Sequence, residues 1–567
     1  MTRILYALLT LTLVPVLQTS NPVNEFSPEL LLKPKTTTAR FTIPANTDAR
    51  TSFERLADGA GLNIVFYRGF VPDTPALLRL ENATIVDAFN QTAAQTGNFW
   101  FPWNSSTVIV APDNPQVRAA IEPRLTKAIY MDSGWTPNNI NFIMNVLRDR
   151  YQFRNIFQNE DARAFLIRDT PARVALAEEQ ITLVSSGLPR PTSDPLSYPE
   201  ANNSFLSIAE KGVVRKVVPS NRAHLEKTLA GGVSIDMTDS PQAIFENLAE
   251  RAGLNVVFDN RMKALPSARF HLDKSDLLDA LDLLALQSGT IWQPVNESTL
   301  FVMEDSTQNR RELDPMVVKV LYLTNGASRE KLFSILNGLR TSVALRNVWQ
   351  NSANNAIVIK DTPLRVFVAE KFISDLDRGG VRPPSVTIKP QTSSFLTSSG
   401  WVLRTAAEAR SKLNLKLRGN TTIRMKETPR AAFEALAKVA ELELAKDSEI
   451  AAGPEAPLNL NGVDIPDALD LLSLQTRHFW QVVDEHTIRV LLNTDAVRRN
   501  LEPRELRRFT PADSTKEGLE DMLNALRLLF GLGEAAVEEN TIVVKDTADN
   551  LALVQVLIDI LGKPAKN

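Results

Sequence analysis

The 567-residue sequence contains no cysteine. That excludes disulfides, thiolate zinc sites, iron–sulfur clusters, a cysteine nucleophile and a lipid anchor carried on cysteine. Histidine is nearly as scarce. His224, His271, His478 and His486 are the only four, and none has the spacing of a HExxH metal site. A basic excess is lacking too: 63 Lys+Arg face 66 Asp+Glu, a formal charge of −3 without large blocks of one sign. Tracking phosphates requires a basic face, so nucleic acid is not expected as a partner. The one long apolar run, Ile4–Leu17, is shorter than the roughly 20 residues of a bilayer-spanning helix. Preceded by Arg3 and followed by "QTSNP", it has the pattern of a secretory signal peptide ending near Ser20.

What the sequence has in abundance is itself. "SFERLADGAGLNIVF" (52–66) matches "IFENLAERAGLNVVF" (244–258), with "AFEALAKVAELELAK" (432–446) as a looser third version. "AFNQTAAQTGNFWFPW" (88–103), "ALDLLALQSGTIWQPV" (280–295) and "ALDLLSLQTRHFWQVV" (468–483) follow in the same order, the last two sharing ten of sixteen residues. Later come "LIRDTP" (166–171), "IVIKDTP" (357–363) and "IVVKDTA" (542–548). Order and spacing are kept at a period of about 190 residues, which reads as a threefold duplication.

Each copy parses into two small α+β lobes. In the second, "VSIDM" (233–237) alternates as a strand, and Ser240-Pro241 opens a helix with Ser as N-cap and Pro at the first helical position. That helix places Ile244, Phe245, Leu248 and Ala252 on one face and ends at Gly253. A strand "LNVVF", a helix over 275–289 and a hairpin "IWQPV"/"TLFVM" complete the first lobe. The second lobe reads strand 317–323, helix 328–339, two strands joined by "NSANN", and a helix from Pro363 to Leu376.

In the recurring phrase the Asp turns the chain and the Thr caps the next helix. Asp169, Thr170, Asp361, Thr362, Asp546 and Thr547 are thus structural repeat positions, and Thr362→Ala is expected to cost about 1 kcal/mol. Trp100, Trp292 and Trp480 recur after the second helix and are read as core packing. Gln95, Gln287 and Gln475 are expected to satisfy backbone groups near the helix end, and Asp282 and Asp470 to sit on a solvated helix face. His478 and His486 are read as cross-strand packing residues of a hairpin.

The first lobe, "FENLAERAGLNVVFD…ALDLLALQSGTIWQPVNESTLFV", resembles the STN domain found at the start of secretins and of some TonB-dependent receptors. The second, "VVKVLYLTNGASREKLFSILNGL…NSANNAIVIKDTPLRVFVAEKFISDLD", resembles the secretin N-terminal ring domain, also called NolW-like. The resemblance implies an α+β fold: a tandem array of small sheet-plus-two-helix modules, three STN-like and three secretin-N/KH-like, with no membrane barrel. The expected divisions are a signal peptide (1–20), STN-like modules at 40–112, 231–304 and 417–492, secretin-N-like modules at 120–185, 314–378 and 500–563, and linkers at 186–230 and 379–416. Secretins continue into a membrane β-barrel. No succession of alternating, glycine-punctuated strands follows the third copy here, so the chain is not expected to be the channel.

The resemblance further implies a periplasmic protein, able to associate with the outer membrane, that docks envelope proteins (a secretin channel, an inner-membrane secretion or pilus component) or self-assembles. No Gly-x-Ser-x-Gly elbow, Walker loop or dinucleotide fingerprint is present. The stretches "RDRYQ", "NGLRT" and "FGLGE", placed where a KH domain carries its GXXG loop, lack that pattern. The expectation is a non-enzymatic docking scaffold of a type II/III secretion or type IV pilus machine, without cofactor or metal. A periplasmic receptor binding a small ligand or signal peptide through its STN-like modules is the alternative.

Overall fold

The computed structural model describes residues 32–35, 38–122, 124–131, 136–159, 164–184, 192–197, 206–210, 213–217, 225, 231–313, 316–324, 329–343, 345, 347–351, 355–377, 385–388, 395–397, 400–402, 413, 421–501, 504–511 and 515–561. The signal-peptide expectation, His224 and most of both expected linkers lie outside the described residues. The fold is mixed α+β, made of many small sheets with helices; among the described residues no sheet exceeds four strands. No described helix is long and apolar enough to cross a membrane.

The leading lobe of the second copy shows the local logic. Val233–Asp239 buries alternate residues and pairs antiparallel with Ala268–Ser275 as a two-stranded ribbon. Ser240 accepts the Ala243 N–H, Pro241 opens the helix Pro241–Ala252, and Gly253 closes it at φ 64° in the left-handed region. Ile244, Phe245, Leu248 and Ala252 are all buried. Asn255–Phe258 then runs parallel to Thr299–Glu304, which also pairs antiparallel with Thr290–Asn296 across the expected hairpin. The other leading lobes repeat both sheets: Thr38–Asp48 with Pro75–Thr84 and Thr421–Glu427 with Ala456–Val463 as ribbons, and three-stranded sheets of the same strand order.

The trailing lobes carry an antiparallel sheet. In the second copy its order is Asn347–Asn351, Ala356–Asp361, Val317–Tyr322, Val386–Ile388. The first copy has the same order: Ile156–Asn159, Ala164–Asp169, Leu125–Tyr130, Thr192–Ser197. In the third, Glu534–Glu538, Thr541–Asp546 and Glu505–Phe509 form three strands. Two expectations need correcting here. The supposed linkers supply the fourth strand of the first two sheets, because an edge strand's free N–H and C=O groups are satisfied by whatever segment runs beside them. "RDRYQ" and "NGLRT" are also not simply loops between helices: Val146–Arg150 and Leu339–Val343 are wide π turns that extend the preceding helices.

In the third copy the Thr547 hydroxyl accepts the Asn550 N–H, as the cap expected there. In the second copy the Asp-Thr phrase works differently from its sequence reading. Thr362 occupies the N-cap of Pro363–Leu376, but its side chain makes no cap bond. Instead the Asp361 carboxylate accepts the Thr362 N–H at 2.8 Å, as Asp169 does from Thr170 and Asp546 from Thr547. The same carboxylates meet the side chain four residues on: Arg173, Arg365 and Asn550. We therefore expect Thr362→Ala to change stability by less than about 0.5 kcal/mol, and Asp361→Ala to lower it by about 1–2 kcal/mol. Urea midpoints of the two variants check the order.

Stacking of copies builds the cores. The outer face of the first leading sheet (Val65, Tyr67, Phe101, Trp103, Ile109) shares one buried cluster with Leu283, Leu284 and other residues of the second leading lobe. Val257, Ile291, Phe301 and Met303 of the second sheet share the next cluster with the third lobe. Trailing lobes do likewise: Ala128 and Leu166 pack into the second lobe, and Val318, Val320 and Val358 into the third. The described copies thus form two columns in which the sheets of the first two copies lie between their own helices and those of the next copy. Fully burying one Leu or Phe contributes about 1.5–3 kcal/mol, so this double cover dominates stability.

Candidate interaction surfaces

The seams between leading lobes are held by an amide clamp. Asn63 Nδ2 donates to the Asp273 carbonyl (3.1 Å), while its Oδ1 accepts the Asp273 N–H (2.9 Å). Asn255 repeats both bonds on the Asn461 peptide, at 3.1 and 2.8 Å. Only a carboxamide offers a donor and an acceptor at that spacing. The register of the third copy puts Glu443 at this position, exposed and with no N–H to donate.

Around the clamp the two seams differ in detail. At the first, Trp103 Nε1 and Asn104 Nδ2 both donate to the Asp279 carboxylate at 3.0 Å, and the Arg68 guanidinium lies over Gly289, whose φ is 69°. At the second, Arg477 occupies the place of Gly289 at φ 59° and its guanidinium reaches back to Asp259 and Asn309. A non-glycine residue there carries roughly 1–2 kcal/mol of strain, which the ion pair to buried Asp259 offsets.

The sequence-predicted positions separate at this point. Trp292 and Trp480 are 5% and 3% exposed, and their Nε1 groups donate to Asp282 and Asp470 at 2.7 Å. Asp282 and Asp470 are therefore buried, which corrects the solvated-face reading. A helix covered by its own sheet on one side and the preceding copy on the other has no such face. Trp100 is only partly buried and donates to exposed Asn90, because no described copy precedes it. Gln95, Gln287 and Gln475 do bond backbone, but on the ribbon strand rather than the helix end: the Leu77 N–H and the Arg269 and Pro457 carbonyls.

His478 is buried against the edge of Phe433, and its Nε2 accepts the Ala451 N–H at 3.0 Å. Burial pushes its pKa down to about 4. His486 lies instead in the hairpin turn, half exposed beside Glu485, and His271 faces Asp236 on the neighbouring ribbon strand. Among the described residues no three His, Asp or Glu gather as a metal site.

Sequence reasoning missed the cations of the trailing column's seam faces, buried Lys360 and half-buried Arg168. Arg168 and Lys360 share a register position on the seam faces, and burial pushes Lys360 down to about 8. A lysine whose folded pKa lies below its unfolded value destabilises the fold fully below about pH 8, and the penalty fades as pH rises towards 10.5. Lys360→Met is expected to raise stability at pH 7 by on the order of 2 kcal/mol. Denaturant titration at pH 7 and 10 checks this, since the gain shrinks at the higher pH.

The ends of the columns lack most of the apolar residues that fill the seams, although Leu506, at the place of Val318, stays exposed at the rear of the trailing column. At the front, Gln91 and Ala94 are exposed where Leu283, Leu286, Leu471 and Leu474 fill the seams. At the rear, Arg489 stands where Ile109 and Phe301 pack, paired with Asp447 at 2.7 Å, and Arg508 stands where Ala128 and Val320 pack. Such substitutions are what terminal repeats of a stacked array require.

No protein-family model and no curated protein matches the chain. Among solved structures, an atomic model of the Salmonella SPI-1 type III secretion injectisome basal body proteins InvG, PrgH and PrgK is 13% identical, covering 59% of this chain and 46% of that chain, with a TM-score of 0.13. A crystal structure of a protein from Thermus thermophilus is 12% identical, covering 63% and 52%, also with a TM-score of 0.13. The chain spans about half the length of each. Likenesses at this score bear on neither the fold nor the function.

Proposed function

We propose that this chain is a non-enzymatic scaffold of the bacterial envelope, a secretin-like module array that works by protein–protein docking within a secretion or pilus machine. One observation carries the reading: the polar residues that recur in the copies are used inside the fold. Trp292 and Trp480 bond Asp282 and Asp470, Asn63 and Asn255 clamp the next copy, and the three Asp-Thr pairs bond their own backbone. Repetition has preserved an architecture, and the surface left over is what partners would meet. The envelope setting comes from the resemblance of the sequence to secretin modules and from the signal-like Ile4–Leu17 run. The partners proposed are a secretin channel or an inner-membrane secretion or pilus component.

Cross-linking in intact cells, followed by identification of adducts, tests this. The expected result is a discrete adduct with an envelope secretion or pilus protein. Recovery of only the uncross-linked chain, or of adducts confined to unrelated abundant proteins, contradicts the proposal.

A further inference from the structure

The two seams between leading lobes share the amide clamp but differ at one corner, whose positions correspond one to one. Tyr67 and Asp259 both donate their N–H to the central strand, to the Val110 and Val302 carbonyls. Val117 and Asn309 both lie three residues after a helix cap, their N–H groups bonded to Asn114 and Ser306. Gly289 and Arg477 both close the second helix of the following copy in the left-handed region, and accept the Asp305 and Asn493 N–H groups. The geometry points to these corners as two mutually exclusive keys. They let the rear of the first copy accept only the second, and the rear of the second accept only the third.

At the first seam the key comes from the preceding copy. Arg68 lies over Gly289 with Nη1 3.4 Å from its carbonyl oxygen, and a Cβ on residue 289 would stand 2.5 Å from that nitrogen. The residues beside it are Tyr67, which is buried, and Val117, which packs on the same apolar cluster. Neither offers a carboxylate. At the second seam the key comes from the following copy. Arg477 reaches back to the buried Asp259 carboxylate and to the Asn309 amide oxygen at 3.3 Å. Asn260 takes the place of Arg68.

Exchanging the partners fails in both directions. The third copy against the first would bring Arg477 to Tyr67 and Val117, where Arg68 already holds the Tyr67 ring at 6.0 Å. A cation would lose its carboxylate and meet a like charge. The second copy against another second copy would offer Gly289 to Asp259. That buried carboxylate would keep only Arg261 as a cation, with guanidinium nitrogens at 3.5 Å. Such mismatches discriminate through a penalty at the wrong seam and need no gain at the right one. The corners thus fix the order of the copies and prevent second copies of neighbouring chains from extending a column. This inference rests on the stacked fold and not on the envelope role.

Amide exchange at Asp273 in the full-length protein reports the first seam, and Asn461 is the reference for the second. Gly289→Arg installs the wrong key and is expected to speed Asp273 exchange roughly tenfold or more while leaving Asn461 unchanged. Tyr67→Asp/Arg68→Asn/Val117→Asn, which supplies the partners without the arginine, is expected to do the same. All four substitutions together rebuild the corner of the second seam, and Asp273 exchange is expected to return to within about threefold of wild type. Gly97→Arg carries the same left-handed strain at a place where a Cβ would meet nothing within 4 Å, and is expected to leave Asp273 slow. Wild-type exchange in either partial variant, equal acceleration in Gly97→Arg, or failure of the four-substitution variant to recover overturns the keys. If Gly289→Arg alone does not fold, the four-substitution variant decides. Folded with Asp273 slow, it supports the keys; unfolded, it overturns them.

Discussion

Trp292→Ala is expected to lower the unfolding free energy by about 3–5 kcal/mol. The indole fills the space between its sheet and the helix Leu277–Ser288, and its Nε1–H is bonded to buried Asp282. Truncation removes the largest side chain at that position and takes a donor from a carboxylate sealed from water, and both effects act in the same direction. Trp100→Ala is the internal control. Trp100 is partly exposed and its partner Asn90 meets solvent, so the loss there is expected to be clearly smaller. Urea unfolding followed by far-UV circular dichroism gives both numbers. Equal losses, or a loss below about 1 kcal/mol at Trp292, would show that the indole is not sealed as described.

His478 sets the second large effect, which depends on pH. Its folded pKa of about 4 lies below the ordinary 6.5 because burial disfavours the imidazolium, and Nε2 is already committed as acceptor of the Ala451 N–H. The unfolded chain therefore takes up a proton that the folded one refuses. The stabilisation is complete above pH 6.5 and is lost as pH falls towards 4, amounting to about 3 kcal/mol. Carboxylates also titrate in that window, so the difference between wild type and His478→Gln isolates the histidine. The gap between the two is expected to shrink by about 3 kcal/mol from pH 7 to pH 4. A gap independent of pH would mean that the ring reaches water.

Much of the local fold was legible in the sequence, since its signals are local. Ser240-Pro241 and Gly253 bracket a helix because capping and left-handed closure act within one turn. Pro363–Leu376 begins and ends where its sequence indicates. What escaped was set by contacts far along the chain. The parallel pairing of Asn255–Phe258 with Thr299–Glu304 has no short-range mark. Asp282 and Asp470 looked solvated because one acid on an amphipathic helix usually is. The clue lay in comparing copies: "ALDLLALQ" and "ALDLLSLQ" carry leucines at two positions where "AFNQTAAQ" has Gln91 and Ala94. Apolar residues on a second helix face announce a second layer. Asn63 and Asn255 carried a similar signal, as the only two of the three equivalent positions that are amides. Thr362 was misassigned as the bonding cap since either residue of an Asp-Thr pair can satisfy a helix start, and only geometry shows that Asp361 does.

Residue-resolved hydrogen exchange at Asp273 and Asn461 tests the stacked arrangement most directly. Both residues lie on exposed ribbon strands, and their N–H groups donate to Asn63 and Asn255 of the preceding copy. The stacked columns require both amides to exchange slowly. Asn63→Ala should release Asp273 alone, and Asn255→Ala should release Asn461 alone. Fast exchange at both sites in the unmodified protein would mean that the copies do not stack.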